Sequence, residues 1–138
     1  MMRHSVIFIG VLFVFVACVK TNSVDCDNIS YSCNTVEPFY SDMTLKLTLN
    51  NENIKVPLWV YEGEYDDTSH LVYFNQVSEE KISISLPLNM RYYAKVKYKS
   101  GDKTIYAIDG VFFKKYSKTE CDSECWYIKN NIIDVRLK

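Results

Sequence analysis

The stretch that decides the fold is residues 92–99, which read Tyr92-Tyr93-Ala94-Lys95-Val96-Lys97-Tyr98-Lys99. Every second side chain from Tyr92 to Tyr98 is apolar or aromatic, and the side chains between them are a tyrosine and three lysines. Successive side chains of a β-strand point to opposite faces of the sheet. The alternation therefore predicts a strand that buries one face in a core and turns the other face, with Tyr93 on it, towards solvent.

Segments with the same period of two lie on both sides of this strand. The turn residues 100–102 predict a hairpin to the next segment, the Asp109-Gly110 pair predicts a second turn, and Pro57 favours a strand start or an edge strand. Residues 116–125 have room for a single helical turn. The predicted strands are residues 43–49, 56–61, 71–77, 81–86, 92–99, 104–108, 111–113 and 133–137.

This pattern predicts an all-β fold. No window of about a dozen residues combines apolar side chains at helical spacing with helix caps. Seven or eight short strands separated by turns are typical of an antiparallel sandwich, of which immunoglobulin-like domains are one example. A barrel is the main alternative, and lysines at the outward positions of several strands argue against a transmembrane barrel.

The amino terminus carries the three parts of a secretory signal peptide. Arg3 precedes an apolar run at residues 6–16, and the small residue Ala17 follows this run. A helix that spans a bilayer needs about 20 apolar residues, so a transmembrane helix is the weaker interpretation. We therefore expect residues 1–17 to be a leader that is removed.

The residues Phe15-Val16-Ala17-Cys18 resemble the lipobox of bacterial lipoproteins, with Phe15 in place of the usual Leu. In that family a small residue precedes a cysteine whose thiol is acylated before cleavage. The resemblance implies that acylated Cys18 anchors the chain in a lipid bilayer, because two or more acyl chains hold a protein stably at a membrane. Val19 stands where some lipoproteins carry an Asp that retains them in the inner membrane, which favours the outer membrane. The alternative is a plain signal peptide with an incidental Cys18.

The odd number of cysteines, five, fits this interpretation. Acylation of Cys18 leaves four cysteines that can form two disulfides in an oxidising compartment. We favour Cys26–Cys33 with Cys121–Cys125, because near neighbours in the chain meet at little entropic cost. The alternative joins the amino-terminal segment to residues 121–125. Neither spacing is that of a zinc site, so no metal is expected.

The mature chain divides into a tether and one domain. Residues 18–36 are polar and have no sustained apolar period, which predicts a lipidated tether. Residues 37–138 contain all the predicted strands and form the predicted β-sandwich domain.

Several short motifs lie along the domain. They are Val36-Glu37-Pro38, Val56-Pro57, Tyr61-Glu62-Gly63, Leu86-Pro87-Leu88-Asn89 before Tyr92-Tyr93, Thr104-Ile105-Tyr106-Ala107-Ile108-Asp109-Gly110, Cys121-Asp122 with Cys125, and Asp134-Val135-Arg136-Leu137-Lys138. With these motifs the domain resembles small bacterial envelope lipoproteins of unassigned function. The resemblance implies a transthyretin-like or carboxypeptidase-regulatory-like sandwich, and it implies no activity because such folds serve many roles.

Charge and composition exclude several classes of function. The 16 Lys and Arg residues nearly cancel the 17 Asp and Glu residues, which argues against a nucleic-acid partner. After the leader is removed, His70 is the one imidazole, and its polar surroundings indicate a solvated loop residue rather than a catalytic base. No glycine-rich phosphate loop is present, so we expect neither a nucleotide nor any other cofactor. A small hydrolase is the least favoured hypothesis.

An acidic segment follows the second predicted strand. Its oxygens could serve as calcium ligands, but the spacing is not that of an EF-hand, and a solvated acidic loop is the simpler interpretation. The residues are Glu62, Glu64, Asp66 and Asp67.

Aromatic side chains are the remaining functional signal. The chain has 11 tyrosines, and those on outward strand positions offer rigid amphipathic area to a protein or a glycan. The candidate binding residues are Trp59, Tyr93 and Trp126. The alternative is that these rings cover the rim of the core, where tyrosine has a high β-propensity.

The sequence therefore predicts a non-enzymatic binding or structural module, lipid-anchored in the bacterial cell envelope through Cys18. Its expected partners are the lipid bilayer and a protein or a glycan. The alternative function is a carbohydrate-recognition accessory or adhesin-like protein that uses surface tyrosines.

Overall fold

The computed structural model describes residues 33–65 and 69–138, and these residues form eight β-strands. The predicted leader, Cys18, Cys26 and the acidic residues Asp66 and Asp67 lie outside the described residues. The strands are β1 (Tyr40–Lys46), β2 (Val56–Glu62), β3 (His70–Val77), β4 (Lys81–Pro87), β5 (Met90–Ser100), β6 (Lys103–Glu120), β7 (Ser123–Lys129) and β8 (Ile132–Asp134).

Two sheets enclose one core. The larger sheet has five strands in the order β3-β2-β5-β6-β7, and the smaller has three in the order β4-β1-β8. All neighbouring strands are antiparallel except β1 and β8, which run parallel. The prediction of an all-β sandwich is confirmed.

Strand β5 lies at the centre of the larger sheet, and its side chains alternate between the core and the outward face as the sequence predicts. Tyr92, Ala94, Val96 and Tyr98 are buried at 0% exposure, and Lys97 on the other face is exposed. Strands β1 and β2 contribute their own alternate side chains to the same core. The further fully buried side chains include Met43, Leu45, Leu58, Val60, Phe113 and Ile133.

One local prediction within β6 is wrong. Asp109-Gly110 is not a turn, because both residues lie inside β6 and pair with β5. The Asp109 carboxylate accepts hydrogen bonds from the backbone N–H of Gly110 (2.9 Å) and of Asp134 (2.8 Å). The long-range ladder, reinforced by the bond to Asp134, therefore outweighs the turn preference of this pair.

The helical turn for which residues 116–125 have room is not formed. Strand β6 continues to Glu120, and Cys121 (φ 47°) and Asp122 (φ 61°) reverse the chain into β7. Two successive residues with positive φ are typical of the tight turns that join antiparallel strands. This segment therefore forms a β-hairpin between β6 and β7.

The favoured disulfide pairing is wrong as well. Cys33 is bonded to Cys125, 92 residues along the chain, and Cys121 is bonded to a cysteine other than these two. The backbone N–H of Trp126 donates a hydrogen bond to the carbonyl of Asn34, 2.9 Å away. The amino-terminal segment thus lies along β7, and this contact, rather than proximity in sequence, decides the pairing. The last residues of the predicted tether, 33–36, are consequently fixed to the domain at Cys33.

Tyr98 joins the two sheets through its hydroxyl. This group donates a hydrogen bond to the carbonyl of Val135 (2.8 Å) and accepts one from the backbone N–H of Thr48 (3.1 Å). Thr48 follows β1 and Val135 follows β8. A side chain of the large sheet thus forms hydrogen bonds with backbone groups that adjoin the small sheet. Burial raises the pKa of Tyr98, so the hydroxyl stays protonated at neutral pH.

Replacement of Tyr98 by Phe should lower the free energy of unfolding by about 1–3 kcal/mol, because two backbone groups at the sheet junction lose their partner. Tyr106→Phe is the matched control, since Tyr106 is 50% exposed. Urea unfolding followed by tryptophan fluorescence measures both variants. Equal stability of Tyr98→Phe and Tyr106→Phe would contradict the assignment of a structural role to the Tyr98 hydroxyl.

Candidate binding face

The outward face of the five-stranded sheet carries exposed apolar and aromatic side chains. Strand register places Phe74, Trp59, Lys95 and Ile108 in one row across β3, β2, β5 and β6. Phe74 is 52% exposed and Ile108 is 42% exposed. Solvent-facing sheet surfaces are usually polar, so this row calls for an explanation other than core packing.

A second row extends this surface along the strands. Lys97 on β5 pairs with Tyr106 on β6, and the ammonium of Lys95 lies over the Tyr106 ring, 4.7 Å from its centroid. Trp59 and Phe74 stack with ring centroids 5.4 Å apart. We call this surface the basic–aromatic face, and it consists of Trp59, Phe74, Lys95, Lys97, Tyr106 and Ile108.

Tyr93 differs from its predicted role. It lies on the outward side of β5 as expected, but it is 7% exposed. The ring of Tyr61 stacks on it at 4.8 Å, Tyr65 packs edge-on at 4.9 Å, and its hydroxyl is 2.8 Å from the hydroxyl of Ser69. Tyr93 therefore holds the connection between β2 and β3, and the expectation that it offers an open contact surface is wrong.

A cleft of about 380 Å³ adjoins the basic–aromatic face at Ile108. Gly110 forms part of its wall, where a Cβ atom would stand 3.0 Å from both the Tyr92 carbonyl oxygen and the Tyr93 Cβ. Arg91 and Glu64 form an ion pair at 2.7 Å and also line the cleft. Because both charged side chains are more than half exposed, polar groups of a ligand can reach them.

Burial controls the ionisation of the tyrosine behind this cleft. Burial, with a smaller contribution from the charge of Glu62, raises the pKa of Tyr92 to about 12. The protonated hydroxyl donates a hydrogen bond to the Pro87 carbonyl, 3.0 Å away. Tyr92 is therefore a structural donor and not an acid or base at neutral pH.

Trp126 belongs to a different cluster, on β7. Lys115 is only 10% exposed there; its ammonium contacts the Glu37 carboxylate at 2.7 Å and the Pro38 carbonyl at 2.8 Å. The same ammonium lies 4.8 Å from the Phe39 ring centroid and 5.6 Å from that of Trp126. We call Glu37, Pro38, Phe39, Lys115 and Trp126 the amino-terminal clasp. Trp126 is half-buried in the clasp, apart from Trp59.

The other sequence candidates do not form a joint site. His70 is the first residue of β3, is exposed, and pairs with Glu62 at the end of β2. Within residues 33–65 and 69–138, no three His, Cys, Asp or Glu side chains are grouped as metal ligands would be. In the same ranges, no helix has the length and apolar character needed to cross a bilayer.

Sequence reasoning missed most of the basic–aromatic face. It named Trp59, but it did not single out Phe74, Tyr106 or Ile108 as binding residues. These residues could have been identified only from knowing which side chains of β3 and β6 share the outward face with Lys95, and that depends on the strand register. Comparison with protein families, curated proteins and solved structures found no match to this chain.

Replacement of Lys115 by Met should open the amino-terminal clasp, because Glu37 and the Pro38 carbonyl lose their shared donor. Hydrogen bonds to charged groups contribute about 1.5–3 kcal/mol, so chymotryptic cleavage after Phe39 should accelerate about tenfold or more. Lys129→Met, at an exposed position of β7, is the control. Cleavage after Phe39 at the same rate in both variants would show that the clasp does not hold this segment.

Proposed function

We propose that this protein is a non-enzymatic binding module, anchored to the outer membrane of a bacterial envelope through acylated Cys18. In this proposal residues 1–17 are the cleaved leader and the domain is a transthyretin-like sandwich. The observation that carries the binding role is the basic–aromatic face, which exposes Phe74, Tyr106 and Ile108 on one side of a rigid sheet.

The cysteines support the anchor. Cys33, Cys121 and Cys125 are engaged in disulfides, and such bonds persist in oxidising compartments outside the cytosol. We propose that Cys121 pairs with Cys26. Cys18 is then the remaining thiol, which is the one that the lipobox resemblance assigns to acylation.

The arrangement of the sheet supports binding rather than catalysis. The charged groups beside the cleft, Arg91 and Glu64, neutralise each other at 2.7 Å. His70 is exposed at the start of β3, in backbone register with Glu62 at the end of β2. A rigid face with exposed rings is suited to hold a partner by surface contact.

The anchor can be tested on the native protein purified from membranes. Mass spectrometry of the mature amino terminus should find Cys18 as the first residue, carrying acyl chains. Cys18→Ser should move the protein out of the membrane fraction, whereas Cys26→Ser should leave it there. An unmodified Cys18, or a retained leader, would refute the anchor.

Carbohydrate recognition is the second candidate function, and the Trp59–Phe74 stack favours it. Aromatic rings on a flat sheet present apolar area against which the C–H face of a sugar ring can pack. The two ring centroids are 5.4 Å apart, so the stacked rings form one continuous apolar surface.

Trp59→Ala should weaken glycan binding several-fold, because aromatic contacts are worth about 0.5–1.5 kcal/mol beyond the area they bury. Tyr116→Ala is the control, since Tyr116 is an exposed aromatic residue outside the basic–aromatic face. Glycan-array binding of the native protein and both variants provides the measurement. Arrays without signal, or equal binding by all three proteins, would remove this candidate.

A further inference from the structure

We infer that the ligand of the basic–aromatic face is an acidic glycan, a linear sugar polymer that carries carboxylate or sulfate groups. This inference rests on the carbohydrate-binding function proposed above. It adds the charge of the ligand and the residues that recognise that charge. Lys95 and Lys97 supply the charge recognition, and Trp59 and Tyr106 supply contact area for the sugar rings.

The two cations of this face, Lys95 and Lys97, belong to a ladder of three lysines that Lys99 extends along β5. Lys95, Lys97 and Lys99 occupy successive outward positions of β5, about 6.8 Å apart along the strand. In the part of the chain that the structure describes, the ion pairs involve Arg91, Lys115, Lys118 and Arg136, and none involves the three ladder lysines. A chain with a formal net charge of −1 thus concentrates positive charge on one outward strand face.

Rings flank the ladder on both sides. Lys95 lies between Trp59 on β2 and Ile108 on β6, and Lys97 is opposite Tyr106. The Lys95 ammonium is held 4.7 Å from the Tyr106 ring centroid. A row of lysines on β5 is therefore bordered by apolar side chains on β2 and β6, which matches a polymer along β5 that places its anionic groups over the lysines and its apolar ring faces against the side chains beside them.

The cleft extends this surface at one end of the ladder. Along the outward side of β5, Arg91 and Tyr93 precede Lys95, and both line the cleft with Gly110. The glycine at position 110 lets Tyr93 pack closely against β6 in the wall of this cleft, because a Cβ atom there would stand 3.0 Å from the Tyr93 Cβ. A polymer that follows β5 can therefore place hydroxyl groups near Arg91 and Glu64 and its acidic groups over the lysines.

An anionic bilayer surface is the competing partner, and the flat face fits it less well. Rings that bind a membrane enter about 5–10 Å into the boundary between headgroups and acyl chains. On this sheet the rings of Trp59 and Tyr106 stand beside Lys95 and Lys97 on neighbouring strands. Insertion to that depth would require the rings to project beyond the ammonium groups, whereas side chains on neighbouring strands of one sheet face stand at a similar height. A sugar polymer that lies on the sheet can contact the rings and the ammonium groups at the same height above the strands.

The test uses the full chain in detergent and measures its affinity for polygalacturonate, heparin and neutral dextran by calorimetry. The native chain should bind one or both acidic polymers, bind dextran at least tenfold more weakly, and lose affinity as salt screens the lysines. Lys95→Gln combined with Lys97→Gln should raise the dissociation constant about tenfold or more. Trp59→Ala should raise it several-fold.

Lys81→Gln combined with Lys129→Gln is the matched control, because it removes the same charge from exposed positions on β4 and β7, outside the face. Thermal unfolding of each variant verifies that the fold is retained. The control should bind like the native chain, which separates a local effect of the ladder from an effect of net charge.

Several outcomes would overturn the inference: no binding to either acidic polymer, equal binding to dextran, equal loss in the control, or, for the Cys18→Ser chain measured without detergent, tighter binding to phosphatidylglycerol vesicles than to the polymers. Neutral-glycan binding that depends on Trp59 but not on Lys95 and Lys97 would overturn it while leaving carbohydrate recognition in place. An unmodified Cys18 would remove the membrane anchor without affecting the polymer measurements.

Discussion

The alternation of side chains along β5 is the constraint on which the rest of the structure depends. This strand pairs with β2 on one side and with β6 on the other. One set of its side chains, from Tyr92 to Tyr98, fills the core, and the other set, which includes Lys95 and Lys97, forms the outward ladder. A slip of one residue in either pairing would exchange the two sets and bury ammonium groups, so the register is strongly specified.

The same constraint explains how the two sheets are held together. Tyr98 is the last inward aromatic side chain of β5, and its hydroxyl reaches backbone groups that follow β1 and β8. At the far edge of the large sheet, the Cys33–Cys125 bond and Lys115 bind the amino-terminal segment to β7 and β6. Strand β5 thus connects the two sheets at the centre of the domain, and the clasp and the disulfide fix the amino-terminal segment at its edge. These contacts leave the outward face of β2, β5 and β6 uncovered.

Local pattern succeeded wherever a strand has one buried and one solvated face. The predicted segments at residues 43–49, 56–61 and 81–86 contain strands, because burial imposes a period of two on the sequence. Residues 71–77 also contain a strand, although most of its side chains are exposed. Prediction failed where partners distant in sequence decide the outcome. Asp109-Gly110 has turn chemistry, yet it pairs with β5 and is bonded to Asp134. The cysteines likewise pair according to the neighbours that the fold supplies.

The sequence by itself determined the all-β class and the sidedness of the residues on β5, because hydrophobic periodicity is a local consequence of burial. It also indicated that aromatic side chains such as Trp59 would face outward. Only the tertiary structure decided which of these rings are open to a ligand: Tyr93 is covered by Tyr61 and Tyr65, whereas Phe74 and Tyr106 stay exposed. The exposure and clustering of these rings depend on strand order and register. Both arise from contacts between residues far apart in the chain, so the local sequence pattern does not reveal them.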